Sequence, residues 1–462
     1  MDPIELTART LAHLPFRPHA LQHKLVVSLS YYICRHTDRE IFLLNGYAGS
    51  GKTSVMAAVV KALTEMKVKT VTLAPTGRAA KVAADFSGGK ASTIHRRIFR
   101  PETASPDARF ILSHNPDSNA VFIIDEASLI TDSASPSQSL LQQMLRHIHS
   151  APGNTVILVG DIAQLPPVGM TNAPAMNPER LRQLGLNPIT FTLDIPMRQG
   201  DGSGVLYNAT FMRRLLFDPQ SAPKAELFAR GFEDVEVISS ADLADRLTDS
   251  WSEVGVDRTI IITRSNSRAN RYNQAIRNLV MMAEEPLQRG DRLVISKNDY
   301  FWSKINKSRN FIANGDMAEV KWVGKTEKMY GRYFAEVELY FPASDMQIGA
   351  QLMLRSLMTD GPSISRDEMD RFYTHVLAEQ EGELSERIKA TTEDPYYNAI
   401  QAKYGYCITC HKAQGGQWAH VYIDMAGIDP ETLDEGFYRW FYTAVTRATD
   451  KVFFINPTLP VR

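Results

Sequence analysis

A glycine-rich segment ending in lysine and threonine is the first part of the chain that could do chemistry. Residues 46–53 read GYAGSGKT, between an apolar run and an Ala- and Val-rich stretch. This is the phosphate-binding P-loop pattern between a strand and a helix. Lys52 can reach β- and γ-phosphates and the Thr53 hydroxyl can ligate Mg²⁺, whereas the alternative is a plain glycine turn. The residues expected to bind nucleotide here are Gly46, Ala48, Gly49, Ser50, Gly51, Lys52, Thr53 and Ser54.

A pair of acidic residues follows a second apolar run. Residues 121–124, VFII, are typical of a buried parallel strand, and they lead into Asp125 and Glu126. In the manner of a Walker B site, Asp125 is expected to hold Mg²⁺ with Thr53, and Glu126 to orient and deprotonate the attacking water. Alone, such a pair indicates a solvated strand end. Downstream of a P-loop it predicts ATP hydrolysis, with ATP and Mg²⁺ as cofactors.

Charge and composition exclude several classes of protein. Lys and Arg number 51 against 52 Asp and Glu, so any surface for nucleic acid must be a local groove. At 462 residues, 44% of them hydrophobic, the chain can bury several cores. It has three cysteines, no signal-like N-terminus and no uncharged apolar stretch of about 18 residues. A cytoplasmic protein without a membrane partner is therefore expected.

The segment Cys407-Ile408-Thr409-Cys410-His411 formally matches a haem-attachment pattern and half of a zinc site. Haem attachment of this type needs an exported protein, and zinc needs further ligands at matching spacing. Cys34 is the third cysteine of the chain. The interpretation that we favour is a pair of small residues on a buried strand that leads into a functional loop.

Short apolar runs alternate with helical stretches through most of the chain. This alternation predicts an α/β fold with parallel sheets, whose ligands lie at the carboxyl ends of the strands. Residues 96–119 are rich in Pro, Ser, Asp and Asn, which predicts a small excursion. Short β-rich runs between Gly and Asn turns predict an inserted β-domain. The expected domains are residues 1–200, residues 201–286 with 403–462, and an inserted domain at 287–402 with a helical extension.

Further motifs complete a series in chain order. After the P-loop and Asp125-Glu126 come GDIAQLPP at 160–167, MRQ at 197–199, HKAQG at 411–415 and YTAVTRA at 442–448. From Gln22 to Ala448, this series resembles the motifs of superfamily 1 DNA helicases in the RecD, Dda and Pif subgroup. The series as a whole is far more specific than any one of its motifs.

The resemblance implies two RecA-like P-loop domains with ATP in the cleft between them. It implies a pin at 96–119 that splits the duplex, and an inserted SH3-like β-barrel that covers the bound strand. Gln22 would read adenine, Gln164 would sense the γ-phosphate, and Gly415 would contact the nucleotide. Arg198 and Arg447 would be arginine fingers, a role that suits a planar, permanently charged fork. Surface ion pairs are the alternative for either arginine.

The resemblance also implies contacts to the DNA backbone from residues in loops at strand ends. These are Pro75, Thr76, Ser92, His95, Asn266, Thr409 and His411. Any of them could instead be a cap or turn residue. Hydroxyl, amide and backbone N–H groups fix phosphates without reading sequence, so binding should be sequence-tolerant and salt-sensitive. The candidates for base stacking are Phe99, Tyr300, Phe301 and Trp302, with apolar packing as the alternative.

The leading hypothesis is an ATP-dependent DNA helicase that moves along single-stranded DNA from 5′ to 3′ as a monomer, with duplex junctions as partners. The polarity comes from the resemblance alone. A second hypothesis is an ATP-gated module that binds or loads onto single-stranded DNA without unwinding. A third, a metabolic P-loop kinase, gives no reason for Gln164, Arg198 and the loop at His411.

Overall fold

The first unit of the fold, residues 1–194, alternates strands and helices. The computed structural model describes residues 1–87, 91–101, 110–194, 202–219, 224–306 and 312–462. The elements of the first unit are α1 (Pro3–Ala12), α2 (Ala20–Arg35), β1 (Glu40–Gly46), α3 (Lys52–Glu65), β2 (Thr70–Ala74), α4 (Gly77–Ser87), β3 (Ala91–Thr93), α5 (Ile94–Ile98), β4 (Phe99–Pro101), β5 (Phe110–Leu112), β6 (Val121–Ile124), α6 (Leu140–His149), β7 (Thr155–Gly160), α7 (Pro178–Gln183) and β8 (Asn187–Leu193).

Six of these strands form one parallel sheet in the order β3-β2-β6-β7-β1-β8. Both faces of the sheet are covered, because alternate residues of β1 pack into two different cores. Ile41 and Leu43 belong to one core, and Phe42 and Leu44 belong to the other. Burial on both faces is the reason that β1, β6 and β7 read as continuous apolar runs. The P-loop follows the carboxyl end of β1 and the acidic pair follows that of β6, with β7 between these two strands.

A small antiparallel hairpin of β4 and β5 leaves the first sheet, with Phe99 opposite Leu112. It lies within the predicted excursion, and residues 102–109 of that excursion lie outside the described residues. Short 3-10 helices at Ala127–Leu129 and Pro174–Met176 complete the first unit.

The chain then enters a second alternating unit, leaves it for an insertion, and returns to it. The elements before the insertion are α8 (Gly204–Phe217), β9 (Val235–Ile238), α9 (Leu243–Val254), a 3-10 helix (Val256–Arg258), β10 (Thr259–Thr263), and α10 (Asn266–Ala275) continued by a π-helix (Ile276–Val280). The inserted unit contains β11 (Arg292–Ile295), α11 (Phe301–Ile305), β12 (Met317–Met329), β13 (Arg332–Phe341), β14 (Met346–Met353), α12 (Leu354–Leu357), α13 (Arg366–Glu379), α14 (Leu384–Glu393) and β15 (Ala402–Tyr404).

The inserted unit is an antiparallel sheet in the order β14-β13-β12-β11-β15. Its two edges meet, because Met353 N donates to Ile400 O (3.0 Å) and Ile400 N donates to Gln351 O (2.7 Å), just before β15. The sheet therefore curls back on itself. Helix α13 covers one end, where Phe372 packs with Phe334 in a separate small core.

The second unit resumes with β16 (Cys407–Thr409), α15 (Cys410–Ala413), β17 (Trp418–Asp424), α16 (Glu435–Val445) and β18 (Ala448–Ile455). Its parallel sheet has the order β16-β10-β17-β18-β9, so the returning chain supplies the strands on both sides of β10. The predicted α/β class with parallel sheets is confirmed. Within the described ranges, no helix has both the length and the apolar character needed to cross a membrane.

Candidate active site between the two parallel sheets

The P-loop turns through two glycines that adopt backbone angles disfavoured for other residues. Gly49 has φ 75° and Gly51 has φ 84°, and α3 begins at Lys52 directly after them. A Cβ at Gly51 would lie 2.6 Å from Gln22 Nε2. Lys52 Nζ donates to the carbonyl oxygens of Gly46 and Tyr47, the latter at 3.1 Å. The lysine thus lies over its own loop, at the positive end of α3 where phosphates bind.

The acidic pair leaves β6 through a tight turn. Glu126 has φ 50°, a left-handed conformation that is uncommon for a residue with a side chain and is found often at functional sites. Its N–H donates to Asp125 Oδ1 (2.9 Å). Burial, and then the neighbouring Glu126 carboxylate, raise the pKa of Asp125 to about 6. A cation placed beside Asp125 would offset both effects.

Gln164 supplies a buried amide from the loop after β7. Its side chain is 5% exposed, and among the described residues its Oε1 has no hydrogen-bond partner. Buried polar atoms without a partner are rare because each costs about 1–3 kcal/mol. The atom is therefore a candidate to bind a ligand or its water.

Arg447 follows α16 in the second unit and is 4% exposed. It donates to the carbonyls of Thr443 (3.0 Å) and Gly416 (3.3 Å) and to the Thr446 hydroxyl (3.1 Å). These partners are all neutral, so the described part of the chain shows no carboxylate paired with this guanidinium. An arginine held by carbonyls keeps its charge available to an anion.

A cavity of about 450 Å³ joins these groups, with walls from both units. The predicted residues that line it are Ala48, Gly49, Ser50, Gly51, Lys52, Thr53, Ser54, Asp125, Glu126, Gln164, Gly415 and Arg447. Its volume is typical of a ligand site. The Thr53 hydroxyl and the Asp125 carboxylate are oxygen ligands of the kind that Mg²⁺ prefers, so the residues present fit a nucleotide with its metal.

Three residues predicted for the nucleotide site are not among those that line the cavity. Gly46 ends β1, just before the lining residues of the P-loop. Gln22 does not line the cavity: its amide is used twice, since Nε2 donates to Ser50 O (3.1 Å) and Oε1 accepts from His19 N (3.2 Å). Gln22 therefore supports the P-loop backbone, and its contact with adenine stays a prediction. Arg198 lies outside the described residues.

Sequence reasoning missed several residues that line the cavity. Phe16, ahead of the first motif, contributes an aromatic ring near Gly51, and the sequence pattern around it gives no signal for this. Val205 and Leu206 come from the start of α8 in the second unit. Tyr47 lies inside the P-loop motif, and the Arg213 guanidinium lies 4.0 Å from the centre of the Tyr47 ring.

The residues predicted to contact DNA fall into two groups at strand ends. In the first unit, Ala74 of β2 pairs with Thr93 of β3, so Pro75, Thr76 and His95 leave the sheet side by side. The Thr76 hydroxyl accepts from Ala79 N (3.2 Å) at the start of α4. Ser92, within β3, donates to Thr93 O (3.0 Å), and His95 is exposed.

In the second unit, Thr263 of β10 pairs with Thr409 of β16, which brings Asn266 and His411 to the same edge. A small pocket there is lined by Asn266 and Thr409 together with two lysines, Lys403 and Lys412. Burial lowers the pKa of Lys403 to about 8, and burial together with the charge of Lys403 lowers the pKa of Lys412 to about 8. Among the described residues, Lys412 Nζ has no hydrogen-bond partner.

The four aromatic candidates differ in exposure. Trp302 is 9% exposed and donates through Nε1 to Asn398 O (2.8 Å), so it is part of the packing. Phe99 and Phe301 are partly buried against cores. Tyr300 is 38% exposed and therefore the most accessible of the four.

The two cysteines before His411 are buried. Cys410 Sγ donates to Trp440 O (3.5 Å), and burial raises the pKa of its thiol to about 12. Burial also raises the pKa of Cys407. Over the ranges that the structure describes, no group of three or more His, Cys, Asp or Glu side chains is placed to hold a metal ion.

Comparison with known proteins adds an independent observation. The family model of the AAA domain matches residues 32–189, and the model of the UvrD-like helicase C-terminal domain matches residues 404–455. These segments carry the P-loop side and the arginine side of the cavity. The ATP-dependent RecD2 DNA helicase of Deinococcus radiodurans is 32% identical over 132 residues, which cover 28% of this chain and 16% of that protein. These matches confirm the resemblance to superfamily 1 helicases of the RecD, Dda and Pif group.

Two further likenesses extend over most of the chain. An uncharacterized protein, R530, of Acanthamoeba polyphaga mimivirus is 23% identical over 501 residues, covering 92% of this chain and 97% of that protein. The crystal structure of Pif1 helicase from Bacteroides in complex with ADP-AlF3 and single-stranded DNA has a TM-score of 0.49 at 17% identity, covering 94% of this chain and 92% of that one.

Proposed function

We propose that the protein is an ATP-driven DNA helicase that moves from 5′ to 3′ along single-stranded DNA and separates duplex DNA. The observation that carries this proposal is the shared cavity, where Lys52 and Glu126 of the first unit meet Arg447 of the second. Because both units contact the same ligand site, the state of the nucleotide can change their separation. One chain supplies both halves of the site, so we propose that a monomer is sufficient.

Hydrolysis would use these residues in separate roles. Lys52 and the P-loop N–H groups hold the phosphates, and Glu126 orients a water molecule and accepts its proton. Thr53 and Asp125 would hold Mg²⁺, which neutralises charge on the phosphate oxygens. Gln164 contacts the water or the γ-phosphate through its amide. Arg447 stabilises the charge that develops during transfer, for which a bidentate guanidinium is suited.

Movement along DNA would come from alternating grip by the two units. Thr76 and His95 leave the first sheet, whereas Asn266, Thr409 and His411 leave the second. Each unit would therefore have its own set of contacts to the DNA backbone. Closing and opening the cavity would shift one set relative to the other by a fixed step. The hairpin of β4 and β5 would act as the pin, and the inserted unit, as an SH3-like barrel, would cover the strand.

Strand displacement on two duplexes tests this function and its polarity. One duplex carries a single-stranded 5′ tail, and the other carries a 3′ tail of the same length and composition. We expect ATP-dependent separation of the 5′-tailed duplex only. Separation of the 3′-tailed duplex alone would contradict the polarity. ATP turnover stimulated by DNA without any separation would instead favour a binding or loading module, and turnover indifferent to DNA would favour a kinase.

A further inference from the structure

The loop of residues 161–165, which carries Gln164, is held by the second unit. Leu165 N donates to the Thr443 hydroxyl (2.8 Å), and Leu165 O accepts from Gln414 Nε2 (2.7 Å). Arg439 donates to the carbonyls of Gln164 (3.3 Å) and Ile162. Helix α16 therefore positions a loop that belongs to the other half of the ATP site.

Tyr442, on the same helix, reaches further and contacts the P-loop itself. Its hydroxyl accepts a hydrogen bond from Ala48 N (2.7 Å) and donates one to Asp161 Oδ2 (2.7 Å). The side chains of Tyr442 and Asp161 are each 1% exposed. One buried hydroxyl thus joins the P-loop, the start of the Gln164 loop and the helix that precedes Arg447.

The hydrogen bond between the Tyr442 hydroxyl and the Asp161 carboxylate is suited to holding the two units in a fixed geometry. Burial, and then the charge of Asp161, raise the pKa of Tyr442 well above its usual range, so the hydroxyl keeps its proton and remains a donor. Asp161 Oδ1 accepts from Ala163 N (3.0 Å), which fixes the carboxylate from the other side. A hydrogen bond from a neutral donor to a buried carboxylate is among the stronger kinds in proteins.

We propose that Tyr442 is a positioning residue for ATP hydrolysis: its hydroxyl sets the distance of Arg447 and Gln164 from the P-loop when the two units close. This inference rests on the proposed function. It requires that Tyr442 affect the chemical step more than nucleotide binding, because its partners line or adjoin the phosphate end of the cavity. The phenol itself need not touch ATP.

Tyr442→Phe removes the hydroxyl and keeps the ring, and Tyr438→Phe is the matched control. Tyr438 lies one turn earlier on α16, and the described part of the structure shows no hydrogen bond from its hydroxyl. We expect Tyr442→Phe to lower kcat for DNA-stimulated ATP turnover by about tenfold or more, the loss expected for a buried hydrogen bond to a charged group. KM for ATP and the Kd for single-stranded DNA should change by less than about threefold. Tyr438→Phe should match the wild type in all three.

A merely structural role would give a different result, namely a lower melting temperature with kcat unchanged at temperatures where the variant is folded. That result would overturn the proposal. Asp161→Asn provides a second variant: it should lower kcat as Tyr442→Phe does, and the double variant should be no worse than either single one. Full additivity of the two losses would also overturn it.

The wild-type protein separates failure of this inference from failure of the proposed function. If wild-type ATP turnover is stimulated by single-stranded DNA and Tyr442→Phe equals it, only the role of Tyr442 is rejected. If wild-type turnover is not stimulated, the helicase function fails, and the positioning role fails with it.

Discussion

Among the described residues, three polar or charged side chains in the cavity lack a complementary group that a bound ligand would supply. The Asp125 carboxylate is half-buried beside Glu126, Gln164 Oε1 has no partner among the described residues, and the Arg447 guanidinium is bound to carbonyls and a hydroxyl. A polyphosphate with a divalent cation carries the complementary charges. The three observations come from different parts of the chain, which is why they support one ligand together.

The pKa of Lys412 predicts how the affinity for single-stranded DNA depends on pH. Its pKa of about 8 means that the ammonium is mostly charged at pH 7 and mostly neutral at pH 9. A DNA phosphate binds the charged form, so affinity for single-stranded DNA should fall by up to about tenfold as pH rises from 7 to 9. Fluorescence anisotropy with a labelled oligonucleotide measures this.

The variant Lys412→Met should lose most of this pH dependence, and the slope of log affinity against log salt should become shallower by about 0.7. Lys224→Met is the control, because Lys224 is exposed and paired with Glu431. An unchanged pH profile in Lys412→Met would exclude the lysine from DNA binding and leave Lys403 as the remaining titrating lysine of that pocket.

Among the elements, the short loop after α15 packs closely against the first unit. Gly415 has φ 71°, and a Cβ there would lie 3.2 Å from both Thr76 Oγ1 and Ala79 Cβ. Gly415→Ala should lower the free energy of unfolding by about 1–2 kcal/mol through its left-handed backbone. It should also slow ATP turnover severalfold, since the added methyl group pushes the two units apart.

Gly427→Ala is the matched control for that substitution. Gly427 has φ 75° in the same unit, and a Cβ there would have no neighbour within 4 Å. It should show the same loss of stability in thermal or denaturant unfolding, with normal ATP turnover. Equal turnover in the two variants would show that contact at Gly415 does not control closure.

Elements that are buried on both faces could be predicted from sequence, and contacts between distant elements could not. The runs at 41–44 and 121–124 indicated β1 and β6 because both sides of those strands are apolar. Motif spacing placed Lys52, Asp125 and Arg447 in one series, and the structure brings them to one cavity. The hydrogen bond between Ala48 and Tyr442 joins residues 394 positions apart, and no local pattern reports it.

Other features that the sequence did not predict also depend on how distant parts of the chain pack together. Closure of the inserted sheet depends on two backbone hydrogen bonds of Ile400, with partners far away in sequence. Phe16 faces the cavity because of how α1 and α2 place the segment between them, which periodicity does not reveal. Gln22 was predicted to read adenine; in the structure both ends of its buried side-chain amide hydrogen-bond to backbone groups, which its position in the sequence does not report.

At the scale of the whole molecule, α4 links the three units. The Arg78 guanidinium lies 3.9 Å from the ring centre of Trp418 in the second unit, and Lys81 Nζ donates to Pro342 O (2.7 Å) in the inserted unit. The same helix lines the ATP cavity through Ala79 and Val82. Closure of the two parallel-sheet units around the nucleotide would therefore also displace the inserted unit.

We propose that ATP is hydrolysed between the two parallel-sheet units, by Lys52 from one and Arg447 from the other, in response to DNA. The most direct measurement is steady-state ATP turnover with and without single-stranded DNA, in the wild type, Lys52→Ala and Arg447→Ala. We expect stimulation in the wild type and its loss in both variants. Arg447→Ala should lose about 10³-fold in kcat with little change in nucleotide affinity. Undiminished DNA-stimulated turnover in either variant would contradict the claim.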